Sequence, residues 1–231
     1  TLNYTPAADE MVLSVHRWFA NKSCPGAWLY SRLGDLAKQV TEKLGRSTTV
    51  ESTPEVTTDG NDKTIWNFLK GKGLNDFAIA GIMGNIYAES GFKPTNLQNA
   101  YEKKLGYTDD SYTAAVDNGS YGNFVKDSAG YGLAQWTYWS RKQALLEYAR
   151  SVGKSIGDLS MQLDFMWKEM QGYKSMMTTI NSATSVLEAS NAVLLQYELP
   201  ADQSEIAQNR RAGYGQTYYD KYAGKAATPA P

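Results

Sequence analysis

The pattern of apolar and polar residues predicts that most of the chain is helical. Between residues 63 and 222 the apolar residues follow helical spacing, in which one face of each helix is buried. Beyond the best-defined helix, which ends at Ser90, this pattern predicts further helices over Arg141–Ser151, Ser160–Met170, Ser185–Tyr197 and Ser204–Tyr222. We therefore predict a mainly α fold for this part of the chain.

The best-defined of these helices spans residues 76–90. Asp76 is placed to cap its first turn, and Gly91 is placed to end it. One apolar face is predicted from Phe77, Ala80, Ile82, Met83, Ile86 and Tyr87. This helix is expected to be buried along that face.

A long irregular stretch, rich in Gly, Asn, Asp and Tyr, separates Ser90 from Arg141. Loops of this length are unusual in compact helical domains, and they tend to carry function. The pattern also allows a small β-hairpin around Tyr121 to Gln135.

Two polar segments divide the chain into four parts. Residues 47–62 are rich in Thr, Ser and Glu and predict a linker, because such a segment buries too little apolar surface to order itself. Residues 223–231 predict a second linker or tail. The parts are therefore residues 1–46, with helical spacing over Ala27–Leu44, the linker, a domain over 63–222, and the tail.

Composition narrows the classes of function. The 23 basic and 24 acidic residues give a net charge of −1, which argues against a nucleic-acid partner. No apolar run approaches the roughly 20 residues that span a bilayer, and no signal peptide is visible, so membrane insertion is not expected. One cysteine excludes an internal disulfide, and one histidine excludes a site with several histidine ligands.

Glu89 is the first candidate for chemistry. It lies in the last turn of the helix that ends at Ser90, beside Ile86 and Tyr87. The negative end of the helix dipole and an apolar setting both disfavour an ionised carboxylate. A carboxylic acid that keeps its proton is what protonation of a glycosidic oxygen requires. The alternative is a solvated residue at a helix end.

Two motifs around this residue resemble the paired signature of the lysozyme-like superfamily. They are E-S-G-F-K-P at residues 89–94 and G-Y-G-L-A-Q-W at residues 130–136. With Y-E-L-P at residues 197–200 and the following Arg210 and Arg211, the match is most similar to the phage tail lysozyme family. The resemblance implies a helical fold of the goose-type lysozyme and lytic transglycosylase superfamily, with Glu89 as the catalytic acid and bacterial peptidoglycan as the substrate.

The second motif implies a substrate-binding role for Tyr131, Gly132, Gln135 and Trp136. Gly132, with Gly130, would let the backbone pass close to a saccharide, and Gln135 would offer an amide to its polar groups. Tyr131 and Trp136 would either stack on a sugar ring or pack beneath the cleft.

A second catalytic carboxylate is harder to assign. Asp127 lies near the position at which goose-type lysozymes carry a supporting acid, and we take it as the candidate. Its rivals in the same stretch, each also interpretable as a solvated turn residue, are Asp109, Asp110 and Asp117. Inverting hydrolysis, retaining hydrolysis and transglycosylation, which needs only one Glu, all stay open.

Glu198, in the Y-E-L-P segment, matches a position of the family but departs from its commoner E-R-P or E-N-P form. We interpret Glu198 as structural, as a buried partner for Arg210 or Arg211.

His16 and Cys24 form an H-x7-C-P-G element that precedes the predicted helix over Ala27–Leu44. A lone histidine and a lone cysteine are more often packed residues than ligands. This segment, however, resembles the C-terminal end of a zinc-dependent N-acetylmuramoyl-L-alanine amidase, in which the two residues would be zinc ligands. The third ligand is missing from the chain, so zinc is expected only in an intact amidase domain, and no amidase activity is expected here.

We therefore expect a glycosidase that degrades peptidoglycan, as the muramidase module of a phage-type endolysin acting at the bacterial cell wall. The alternatives are N-acetylglucosaminidase or lytic transglycosylase activity, a non-catalytic peptidoglycan-binding module, and a structural tail component. No cofactor is expected for the glycosidase domain. A further cell-wall-binding module is expected after residue 231.

Overall fold

The computed structural model describes residues 26–30, 32, 33, 36 and 60–224, and the chain divides into two compact units, Thr1–Val56 and Thr57–Pro231. In the first unit the described helix is α1, Ala27–Tyr30, and Leu33 is buried. It coincides with the start of the helix predicted over Ala27–Leu44. His16, Cys24 and nearly all of the predicted linker lie outside the described residues.

The second unit is mainly helical, as predicted. Its helices are α2 (Asn61–Gly71), α3 (Asp76–Ser90), α4 (Asn99–Leu105), α5 (Asp109–Asp117), α6 (Trp139–Ser151), α7 (Leu159–Met170), α8 (Lys174–Ser182), α9 (Val186–Val193) and α10 (Glu205–Tyr222). A π-helical turn, Leu194–Glu198, continues α9. The predicted helix over Ser185–Tyr197 is therefore α9 followed by this turn.

Helix α3 lies at the centre of the unit and packs most extensively against α10 and α9. Its cap is Asn75, whose side chain accepts a hydrogen bond from the Ala78 amide, rather than the predicted Asp76. Residues 78–86 are all buried, so α3 is buried around its circumference and not along one face only. The sequence pattern underestimated this burial because two of the buried positions, Gly81 and Gly84, carry no apolar side chain.

These two glycines let the neighbouring helices approach the backbone of α3. A Cβ atom on Gly81 would lie 2.6 Å from the Cβ of Ala189 in α9, and one on Gly84 would overlap the carbonyl oxygen of Arg211 in α10. Any larger residue would force α9 or α10 away from α3. The close contact brings the last turn of α3 beside Arg211.

The stretch between Ser90 and Arg141 is more ordered than predicted, because it contains α4 and α5. Thr108 caps α5 through a reciprocal pair of hydrogen bonds with Ser111. In place of the predicted hairpin, and with no strand among residues 60–224, isolated antiparallel bridges join Tyr131 to Leu97 and to Trp136.

Candidate active site

Glu89 lies in the last turn of α3 and forms an ion pair with Arg211 of α10. Its side chain is 18% exposed, and its Oε1 lies 2.6 Å from Nη2 of Arg211. Nη1 of Arg211 donates to Oδ1 of Asn85, one turn earlier on α3, at 3.3 Å. The side chain of Arg211 thus spans two turns of the helix that carries Glu89. We expected Glu198 to be a buried partner for Arg210 or Arg211, and the structure pairs Arg211 with Glu89.

The two sequence motifs meet at the end of α3. The hydroxyl of Ser90 donates to the carbonyl of Ile86 at 3.1 Å and to the carbonyl of Leu133 at 3.0 Å. Gly91 and then Phe92 turn the chain away in the left-handed region, with φ of 58° and 67°. Phe92 is held there by its buried ring, which packs edge-on against Tyr218. The loop of residues 130–136 is therefore fixed beside the residue that follows Glu89.

Gln162 of α7 holds this loop from beneath. Its Oε1 accepts from the amide of Leu133 at 2.9 Å, and its Nε2 donates to the carbonyls of Pro94 at 2.7 Å and Ile156 at 2.6 Å. A Cβ atom on Gly132, whose φ is 74°, would lie 2.7 Å from Oε1 of Gln162. A side chain at residue 132 would therefore collide with Gln162, which explains the glycine without reference to a substrate. Its close approach to a saccharide stays a prediction.

Gln135 contributes its amide to the same loop. Its Nε2 donates to Oδ1 of Asn96 at 2.8 Å, and also lies within hydrogen-bond distance of the carbonyls of Asn96 and Gly132. A Cβ atom on Gly130 would lie 2.7 Å from its Oε1. Gln135 therefore closes the loop onto residue 96, and its contact with substrate stays a prediction.

Tyr131 and Trp136 are both fully buried. The hydroxyl of Tyr131 lies 2.6 Å from Oγ1 of Thr113, and the indole of Trp136 packs edge-on against Phe165. Of the two roles considered for these rings, the structure shows packing beneath the loop. Direct stacking on a sugar is a prediction that this burial does not favour.

Asp127 occupies a buried ion pair rather than an open site. Its Oδ1 accepts from Nζ of Lys142 and from the amide of Ala129, and its Oδ2 accepts from the hydroxyls of Tyr112 and Tyr121. Burial and the bond to Asp127 raise the pKa of Tyr112, which therefore keeps its proton as a donor. These four donors satisfy the carboxylate. They favour a structural role, and the catalytic role of Asp127 stays a prediction without support from this geometry.

The three rival carboxylates also have partners within the fold. Asp110 accepts from the hydroxyl of Thr95 at 3.3 Å. Asp109 accepts from the Leu97 amide and lies 2.8 Å from Nζ of Lys93, and Asp117 accepts from the Ile156 amide.

A second buried ion pair, which the sequence did not reveal, lies beneath the loop. Arg141 donates from Nε and Nη2 to Glu169, each at 2.9 Å, and its guanidinium lies 4.8 Å from the ring centre of Tyr197. Glu169 also accepts from the indole of Trp136 and the hydroxyl of Tyr197. Burial by itself would raise the pKa of Glu169, but these donors outweigh it and hold the pKa below its ordinary value.

Glu198 is the last residue of the π-helical turn, and its pKa is shifted in the opposite direction to that of Glu169. Burial, and secondly the negative charge of Glu89, raise its pKa to about 8 even though Arg141 and Arg211 act in the opposite direction. Within residues 60–224, its buried Oε1 has no hydrogen-bond partner. The charge of Arg211 acts on Glu198 by lowering its pKa. The ion pair of Arg211, however, is with Glu89 and not with Glu198.

Two exposed aromatic residues follow the second motif. Tyr138 and Trp139 are 63% and 56% exposed, with ring centres 6.0 Å apart. They lie at the beginning of α6, just before Arg141. The chain has 16 tyrosines and six tryptophans, but this excess of aromatic residues does not separate exposed rings from packed ones.

No cluster of three or more His, Cys, Asp or Glu side chains that could hold a metal ion occurs in the part of the chain that the structure describes. Among the same residues, no helix has the length and apolar character needed to cross a membrane. The predicted zinc ligands His16 and Cys24 lie outside these residues, so their role stays a prediction.

A family model described as phage tail lysozyme matches residues 60–222, which include Glu89, both motifs and all of the contacts described above. No curated protein matches the chain.

Proposed function

The chain belongs to the phage tail lysozyme family, a family of peptidoglycan-degrading enzymes, and from this premise we propose that Glu89 is the general acid that cleaves the glycan strand. The observation that carries this assignment is the position of Glu89. Glu89 lies in the last turn of the central helix, beside the loop of the second motif. Its partly exposed carboxyl contacts Arg211 at 2.6 Å.

The proposed chemistry uses both forms of this carboxyl. Glu89 as the acid gives its proton to the glycosidic oxygen while the bond to the anomeric carbon breaks. Water, or a hydroxyl of the sugar in transglycosylation, then bonds to the anomeric carbon and gives up a proton, which returns Glu89 to its acid form. The carboxylate left behind is then stabilised by the guanidinium of Arg211, which is already in place. Because Asn85 orients Arg211 from the same helix, the ion pair needs little rearrangement during the reaction.

We propose hydrolysis at N-acetylmuramic acid, as the muramidase module of a phage-type endolysin. Lytic transglycosylation is the second candidate, and the contacts of Asp127 favour it. Transglycosylation needs only one Glu, and Asp127 is buried and satisfied by four donors, so it does not offer a free second carboxylate. N-Acetylglucosaminidase activity would differ in the sugar left at the new reducing end.

The test is digestion of purified peptidoglycan, with mass spectrometry of the new sugar ends. Reducing N-acetylmuramic acid identifies a muramidase, and reducing N-acetylglucosamine identifies an N-acetylglucosaminidase. An anhydro-sugar identifies lytic transglycosylation. Glu89→Gln preserves size and removes the acid, and we expect a loss of about 100-fold or more in kcat. A matched control is Glu147→Gln, which changes an exposed carboxylate on α6 and should digest like the parent.

Full activity of Glu89→Gln would remove the acid assignment. Binding to peptidoglycan without any new sugar ends, in the parent protein, would instead indicate a non-catalytic binding module.

We propose that Tyr138 and Trp139 add a substrate-binding surface to this site. Aromatic faces suit the apolar faces of sugar rings, and these two rings are exposed beside the second motif.

For residues 1–46 the amidase origin stays a proposal, in which His16 and Cys24 are ligands left from a zinc site. Its test is zinc binding by the full chain and by Cys24→Ser.

A further inference from the structure

The guanidinium of Arg141 is held on two sides. Glu169 accepts from its Nε and its Nη2, each at 2.9 Å, in the two-point geometry that suits the planar fork of arginine. The buried ring of Tyr197 covers one face of the same group, with the ring centre 4.8 Å from the guanidinium carbon. Arg141 is therefore fixed in place before any ligand arrives.

The third nitrogen of this guanidinium is open. Within residues 60–224, Nη1 makes no hydrogen bond, and it is not one of the buried polar atoms that lack a partner, so it is accessible to solvent. The side chain of Arg141 is 22% exposed, which is close to the 18% of Glu89. A fixed donor that the fold leaves unused can bind a ligand at little cost in conformational entropy.

Hydrogen bonds connect Arg141 to the loop of the second motif. Glu169 also accepts from the indole of Trp136, the last residue of that motif, at 2.8 Å. The same loop is fixed at the carbonyl of Leu133 by Ser90, the residue that follows the proposed acid. Arg141 is thus attached to the loop that lies beside the proposed acid.

The exposed aromatic pair lies just before Arg141 in the chain. Tyr138 immediately precedes α6, Trp139 is its first residue, and Arg141 lies in its first turn. Tyr138 and Arg141 are three positions apart, the spacing that makes side chains neighbours on a helix surface. A sugar that stacks on these rings would therefore have its polar substituents near a guanidinium donor.

The charge around Nη1 selects the kind of acceptor. Glu169 compensates the positive charge of Arg141, and its carboxylate would repel a second one, such as the lactyl or peptide acid groups of peptidoglycan. A neutral acceptor meets no such repulsion. The carbonyl oxygen of an N-acetyl group is a neutral acceptor, and both sugars of the glycan strand carry this group.

We propose that Arg141 determines specificity at this site: its Nη1 donates a hydrogen bond to the carbonyl oxygen of an N-acetyl group of the glycan. This inference rests on the proposed function. Glu169 and Tyr197 are positioning residues, because they hold the guanidinium and act on the sugar only through it. The contact should make the enzyme discriminate against glycans that lack the acetyl group.

The test compares kcat/KM of the parent and of Arg141→Lys on soluble glycan fragments. One fragment is fully acetylated. Two others carry a hydroxyl in place of the acetamido group, one at N-acetylglucosamine and one at N-acetylmuramic acid, which removes the carbonyl without adding a charge. We expect the parent to lose about tenfold or more on one of the altered fragments, which identifies the contacted sugar.

Arg141→Lys keeps a positive charge beside Glu169 but lacks the open Nη1. It should distinguish the same two fragments by at most about twofold, whereas a merely structural effect would lower kcat/KM on both fragments equally. Arg150→Lys, at an exposed position in the last turn of α6, is the matched control and should discriminate like the parent. Discrimination by Arg141→Lys that equals that of the parent overturns the proposal.

A further fragment, with its lactyl carboxyl converted to an amide, covers the acidic acceptor. If Arg141→Lys loses discrimination only against this fragment, the contact of Arg141 is with the carboxylate, and the proposed N-acetyl contact is wrong.

A binding measurement keeps the inference testable if Arg141→Lys does not fold. With 15N-labelled arginine in Glu89→Gln, the guanidinium signals of Arg141 are followed by NMR during titration with the fragments. The acetylated fragment should shift these signals more than the altered one does, and equal shifts overturn the proposal. If Glu89→Gln cleaves like the parent, the proposed acid fails and the discrimination test still stands. If Glu89→Gln is inactive while Arg141→Lys discriminates like the parent, only this inference fails.

Discussion

At the scale of single residues, the properties of Glu89 are set by side chains that are distant in sequence. Arg211 and Asn85 orient it, and Glu198 faces it electrostatically. The rings of Tyr131 and Trp136, by contrast, are buried beneath the loop. Contact with a glycan therefore requires other groups, and Tyr138 and Trp139 are the exposed aromatic residues nearest to the second motif in sequence.

The role of these rings is tested by Trp139→Ala in a Glu89→Gln background, where binding is separated from cleavage. Loss of one stacking contact, worth about 0.5–1.5 kcal/mol, should weaken binding to insoluble peptidoglycan about 2- to 13-fold. Stability should be unchanged, because the side chain is exposed. The binding isotherm in a sedimentation assay is the measurement.

Leu187→Ala is the control for that experiment, since Leu187 is 43% exposed and lies on α9. Equal binding by Trp139→Ala and by the control would exclude this ring from the substrate-binding surface.

At the scale of the elements, the site depends on the close packing of α3 against α9 and α10. Arg211 reaches both Asn85 and Glu89 because the backbone of α10 passes directly beside Gly84. The loop of the second motif is fixed separately, by Ser90 from α3 and Gln162 from α7. Glu89 is thus held by helix packing on one side and by hydrogen bonds to a loop on the other.

Gly84→Ala should separate α10 from α3. The new Cβ would overlap the Arg211 carbonyl and lie 2.7 Å from the Gly215 amide nitrogen, so backbone must move. We expect a loss of about 1–3 kcal/mol in the free energy of unfolding, measured by urea denaturation, and a fall in kcat as Arg211 shifts.

Gly213→Ala, on the open side of α10, is the matched control. No atom lies within 4 Å of its Cβ position, so alanine should stabilise the helix by about 0.5–1 kcal/mol. Equal stability of the two variants would contradict the close-packing argument.

At the scale of the whole molecule, residues 92–137 are fastened to the helical body at a few buried polar points. Gln162 holds the second motif, and the Asp127–Lys142 pair joins the end of this segment to α6. Burial and ion pairing compete at Lys142, and burial prevails, so the pKa of Lys142 lies below its ordinary value. The pair therefore depends on the complete set of donors around Asp127.

Asp127→Asn should leave Lys142 buried without a counter-charge and destabilise the protein by about 3–5 kcal/mol. Replacement of both residues, as Asp127→Asn with Lys142→Met, should recover part of this loss. If Asp127 is structural, kcat per folded molecule stays close to that of the parent. A large fall in kcat at unchanged Tm would instead restore Asp127 as a catalytic carboxylate.

The sequence by itself determined the mainly helical fold, the helix whose last turn carries Glu89, and the family to which the domain belongs. These follow from local signals: the spacing of apolar residues, the glycine after Ser90, and two short motifs in order. The cap at Asn75, the helices α4 and α5, and the π-helical turn were not predicted. Their signals are short or compete with equally good neighbours, as Asn75 does with Asp76.

Only the tertiary structure decided what surrounds Glu89. An ion pair between residues 89 and 211, or the charges of residues 141 and 169 near residue 198, leave no local pattern in the sequence. They arise because small residues let distant helices meet. The same packing buried Tyr131 and Trp136 while Tyr138 and Trp139 stayed exposed, a distinction between neighbouring aromatic residues that depends on the fold and not on residue type.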